Sequence, residues 1–135
     1  MKREAASFLN VDLELNATAS LSRLARHLES SSYVLYNGAV KSLYRLCAEP
    51  VIGGNLSRSP RACTAHFLDV LEALPDDLAA AFKRCKSRVF DYGFDGGLKS
   101  KPLSVNISAS QLARIARLGA QVRITVYPHR PAADA

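Results

Sequence analysis

Near the start of the chain apolar residues fall on every second position. Leu9, Val11, Leu13 and Leu15 alternate with Asn10, Asp12 and Glu14 across Ser7 to Leu15. A period of two predicts a strand with one covered face and one polar face. The period then lengthens: Leu21, Leu24, Ala25 and Leu28 stand at helical spacing, with Ser20 placed to cap the helix and Ser30-Ser31-Ser32 to break it. Tyr33 to Tyr36 is rich in strand formers. Asn37-Gly38 is suited to the positive φ angles of a tight hairpin turn, which predicts a returning strand over Val40 to Ala48. Pro50 to Ser59 reads as a loop. Ser59-Pro60 then offers a cap and a first-turn proline to a helix carrying Cys63, Phe67, Val70, Leu71 and Leu74 on one stripe. Pro75-Asp76-Asp77 ends that helix and opens another, with acidic residues in its first turn and Lys83, Arg84 and Lys86 at or near its last, as the helix dipole favours. Arg88 to Phe94 predicts a strand with Phe90, Tyr92 and Phe94 on one face, and Asp95-Gly96-Gly97 turns the chain. Leu103 to Ile107 predicts another strand. Ser108 and Gln111 fit a capping box for a helix that stops at Gly119, and Val122, Ile124 and Val126 alternate in a last strand ended by Pro128.

The two ends of this pattern resemble each other. Each reads strand, helix, strand, each helix holds Leu-Ala-Arg (Leu24 to Arg26, Leu112 to Arg114), and each unit closes on a tyrosine. The order predicts an α+β fold: a mostly antiparallel sheet with helices on one face, built from ferredoxin-like split βαβ units related by an internal pseudo-twofold repeat. Residues 1–135 form a single domain on this reading, with 1–6 and 129–135 as flexible tails.

A chain of 135 residues buries about two-thirds of its unfolded surface, enough for one core without metals or disulfides. Its 48% hydrophobic and 22% charged residues exclude a disordered chain, and no apolar run is long enough to cross a bilayer. The first residues lack a secretory apolar stretch, so a cytoplasmic location is expected. Cys47, Cys63 and Cys85 are an odd set without close spacing, which reads as buried thiols and not a disulfide framework. The net charge of +6, with twelve arginines against six lysines, permits a polyanion or an acidic protein as partner.

Chemistry is sparse. Cys63, His66 and Asp69 share one helix, yet no second cluster completes a four-ligand zinc site, so neither a metal nor a cofactor is expected. His27 falls at a helix end and His129 in an exposed tail. The chain has no nucleophile elbow and no phosphate-cradling glycine loop. Asp91 and Asp95, with His66, are the best candidates for a dispersed catalytic site. Arg23 with Arg26 and Arg114 with Arg117 are spaced three apart on the first and last helices. If those helices lie side by side, four guanidinium forks form a surface for phosphate or nucleic acid.

The segment Leu103 to Tyr127, with its strand, its helix closing on Leu118-Gly119-Ala120 and its strand ending in tyrosine, resembles the close of a broad bacterial group of small domains. Some members of that group resemble immunity proteins, which neutralise a toxin by covering it. The resemblance implies a non-enzymatic protein that binds a protein partner, such as a toxin. Sheet edges and the helical face also suit a second copy of the chain. The alternatives are a nucleic-acid or phosphate binder through the four arginines, and an enzyme with a dispersed site.

Overall fold

A computed structural model describes residues 5–54 and 59–129. Of the expected tails at 1–6 and 129–135, residues 1–4 and 130–135 lie outside the described residues, as do residues 55–58 of the Pro50 to Ser59 loop. Among the described residues nine elements follow in order: β1 (Ser7–Ala17), α1 (Ser22–Leu28), β2 (Ser32–Val40), β3 (Leu43–Pro50), α2 (Pro60–Glu72), α3 (Asp76–Lys83), β4 (Ser87–Asp95), α4 (Ala109–Arg117) and β5 (Gln121–Tyr127). The strands form one sheet in the order β2-β3-β1-β4-β5.

β1 is antiparallel to both β3 and β4, and β2 is antiparallel to β3. β1 and β2 therefore run the same way with β3 between them, joined through α1. β5 joins β4 in parallel. The sheet is thus mixed, which corrects the expectation of a mostly antiparallel one. The cause is the α4 crossover, which brings β5 back beside β4 in the same direction.

The predicted strand at Leu103 to Ile107 does not form. Both flanks of β4 are already taken, by β1 and β5, so no ladder beside it is open to this segment. Val105 and Ile107 instead line a pocket against β4 and β5. The second end of the chain thus lacks its first strand, and the expected equivalence of the two ends is not reproduced.

The hairpin turn also moves. Asn37-Gly38 lies inside β2, and the chain reverses at Lys41, which takes φ 58°. A Cβ on Gly38 would stand 3.2 Å from the Tyr36 hydroxyl, which donates to the Ala39 carbonyl at 3.1 Å. Among the caps, Ser59 and Ser108 each accept a backbone N–H three residues on, at 3.1 Å. The Gln111 side chain does not complete the expected box; it donates to the Arg61 carbonyl at 2.9 Å. Ser20 is not the cap of α1, which starts after Leu21, but its hydroxyl accepts the Ser22 N–H.

One core holds the fold. Val11, Leu13 and Leu15 of β1, Leu46 and Ala48 of β3, and Phe90 and Tyr92 of β4 share one sheet face and meet buried residues from all four helices, among them Leu24, Phe67, Phe82 and Ile115. Thr64 Oγ1 donates to the Pro60 carbonyl at 2.7 Å, so at its 2.5 Å contact with Tyr92 the tyrosine hydroxyl is the donor, and both side chains are fully buried. Arg88 ties the far end together. Its guanidinium donates to the carbonyls of Phe82, Lys83, Cys85 and Gly119. Gly119, at φ 69°, leaves room for it: a Cβ there would stand 3.0 Å from Arg88 Nη2.

Candidate functional site

The alternation that buries Val11, Leu13 and Leu15 sends Asn10, Asp12, Glu14 and Asn16 to the opposite face of the sheet. Register brings Asp91 directly across from Asp12 and sets Arg123 beside Asp91. Cys47 and Arg45 of β3 lie across from Glu14 and Asn16. All four helices contribute to the core on the other side, and this face is open and polar.

Its groups are mostly paired. Arg123 donates to Glu14 at 3.3 and 3.1 Å and to Asp91 at 3.4 Å. Thr125 donates to Asp91 at 2.7 Å, Asn10 to Glu49 at 2.7 Å, and Arg45 to Asn16 at 3.1 Å. The Arg123 guanidinium holds the Glu14 carboxyl below its ordinary range. Asp12 is the exception. Among the described residues its Oδ1 is buried without a hydrogen-bond partner. Burial pushes its carboxyl up to about 6, and the charges of Glu49, Asp91 and Glu14 push the same way. The face therefore gathers four carboxylates against Arg45 and Arg123, on a chain whose net charge is +6.

Comparison with protein-family models, curated proteins and solved structures gave no match.

The four nominated arginines lie in the helix layer. α1 packs on β2 and α3, while α4 packs on α2. Arg23 is paired with Asp77, and Arg114 with Asp69 at 2.9 Å and Glu72 at 2.6 Å; Arg26 and Arg117 are exposed. The nominated catalytic groups do not converge. His66 Nε2 is 3.1 Å from the Ser32 hydroxyl in the helix layer, and Asp91 faces Arg123 and Thr125. Asp95, four strand residues and so about 13 Å further on, accepts from Gly97 N at 2.8 Å and meets His129 at 3.1 Å. His129 is thus not in an exposed tail, because Asp95 holds it with 11% of its side chain accessible. Cys63 is in the core, and among the described residues no three His, Cys, Asp or Glu side chains are grouped to hold a metal.

Asp12, Glu14 and Glu49 were not singled out by sequence reasoning. The available signal was the all-polar face Asn10, Asp12, Glu14, but such a face is what any half-covered strand shows. What marks Asp12 is its cross-strand company, which comes from β3 and β4. On the helix side, the pocket has a volume of about 420 Å³ and is lined by Tyr92, Phe94, Leu103, Val105, Ile124 and Val126, among others. No helix among the described residues is long and apolar enough to cross a membrane.

Proposed function

We propose that this chain is a non-enzymatic binding protein of the immunity type, which caps a basic surface of a protein partner with the open face of its sheet. Asp12 carries this reading: a carboxylate oxygen buried without a donor, ringed by Glu14, Glu49 and Asp91. A guanidinium or ammonium from a partner, docked on the half-exposed side of the carboxylate, supplies the missing countercharge. Charge complementarity of this kind steers encounter and fixes register, and a desolvated charge pair at the centre of an interface is where truncation costs most. The strand order β4-β1-β3-β2, with β3 between β1 and β2, supports reading Ser7 to Asp95 as a ferredoxin-like unit extended by α4 and β5. A sheet covered by helices on one side leaves its other side for a partner. The cytoplasm is the compartment that fits this role. A polyanion would meet the four carboxylates on this face, which favours the protein-binding reading over the nucleic-acid one.

The test is amide-shift mapping with two probes, an oligo-arginine peptide and heparin. The peptide is expected to shift Asn10, Asp12, Glu14, Glu49 and Asp91, and Asp12→Asn with Glu49→Gln should abolish the effect. Heparin shifts centred on Arg23, Arg26, Arg114 and Arg117, with none from the peptide on the open face, would overturn the reading. The immunity role is tested by expressing the product of the adjacent gene: toxicity alone and growth on co-expression support it, and toxicity unrelieved by this chain refutes it.

A further inference from the structure

We propose that β5 is a dimerisation edge, at which two copies of this chain pair antiparallel about a dyad at Ile124 and join their sheets into one. β5 is the last strand of the sheet, and its ladder with β4 runs from Gln121 to Tyr127 without a bulge. It contains no proline and no lysine, and its one charged residue, Arg123, is engaged by Glu14 and Asp91. These are the devices that normally blunt an edge. The opposite edge has one: β2 is bulged at Leu35. On the pocket side of β5, Ile124 and Val126 are 57% and 63% exposed.

A second copy is selected because the strand is complementary to itself. With the dyad at Ile124, Ile124 meets its own copy and Val122 meets Val126 of the other chain, so the pocket side is apolar throughout. On the open side Arg123 meets Thr125 and Gln121 meets Tyr127, with no like charges opposed. All seven residues of β5 are paired. A dyad at Arg123 would set that residue against itself, which is unfavourable for like charges directly opposite. A dyad at Thr125 would push Val122 against Pro128, beyond the strand. Registers between these place apolar residues opposite polar ones, because side chains alternate. In the Ile124 register the partner strand carries the pocket's apolar wall across the dyad. Ile124 lies on the pocket side and not among the open-face carboxylates, so the failure of this reading and of the open-face reading are distinguishable.

Sedimentation of the full chain is expected to give twice 14.7 kDa, and Ile124→Lys, which sets two ammonium groups face to face, is expected to give the monomer. Ile124 is more than half exposed, so circular dichroism of that variant should match the parent. A monomeric parent, or a dimer that survives in Ile124→Lys, would overturn the proposal. Cysteine pairing gives an independent readout in a Cys47→Ser background, where Cys63 and Cys85 are buried. Residues opposed in an antiparallel pair have Cα atoms about 4.5 or 5.5 Å apart, within the range a disulfide spans. Ile124→Cys should therefore oxidise to a covalent dimer and Gln121→Cys should not. The reverse pattern, or no dimer from Ile124→Cys, refutes the register.

Discussion

Replacing Asp12 by asparagine removes a charge and keeps the shape of the side chain. Burial raises the Asp12 carboxyl to about 6 in the folded protein, from 3.8 for an unperturbed group. The folded state thus holds this proton more tightly than the unfolded state does. Ionised Asp12 opposes folding, and the cost is absent well below 3.8, grows between 3.8 and about 6, and is constant above. That gap corresponds to about 3 kcal/mol at full strength. Asp12 is partly exposed, and solvent screening lowers the expected value to about 1–2 kcal/mol. Urea unfolding of the parent and Asp12→Asn measures it. At about pH 8 the variant should be the more stable, its midpoint higher by about 0.5–1 M for an m-value near 2 kcal/mol/M. At about pH 3 the two midpoints should converge. Equal midpoints at high pH, or a gain that does not change with pH, would refute the assignment of an unpaired, ionisable Asp12. The same substitution should weaken the oligo-arginine contact, so stability and binding move in opposite directions, as expected where a strained group is kept for function.

Arg123→Ala should destabilise the chain near neutral pH and lose that effect in acid. The guanidinium lowers the Glu14 carboxyl, so its contribution is present above the ordinary glutamate value and disappears as pH falls through the lowered one; thermal melts across pH check this, and a loss undiminished in acid would contradict it. Thr64→Val should cost about 1–3 kcal/mol by stranding the buried Tyr92 hydroxyl, and Thr64→Ser should recover most of it; chemical unfolding that finds Thr64→Val neutral would count against that buried bond.

Local signals in the sequence located most elements. Alternation over Val11 to Leu15 placed β1 and its polar face, Phe90 and Tyr92 oriented β4, and Ser59-Pro60 opened α2 where the helix begins, whereas Leu9, expected on the covered face, falls at a bulge and is 47% exposed. Decisions made by distant residues were not legible. Asn37-Gly38 is a turn signal in isolation, but in the sheet it pairs with Leu46 and Arg45 of β3, and the chain reverses at Lys41 instead. Val105 and Ile107 alternate like a strand, yet β5 takes the ladder beside β4, and the two residues turn to the pocket against β4 and β5. The parallel sense of β5 follows from the crossover and not from its own pattern. The candidate site shows the same division. Asp12 was on the predicted polar face, whereas its missing partner and raised carboxyl depend on Glu49, Asp91 and Glu14, brought beside it by register.

Arg88 reaches the carbonyls at the end of α3 and also that of Gly119, just before β5. Detaching the last strand therefore strips one guanidinium of an acceptor that it shares with a helix end formed much earlier in the chain. Slow amide exchange in β5 and in the final turn of α3 should report a common opening event, so the C-terminal extension unfolds as a fastened part of the domain and not as a loose appendage.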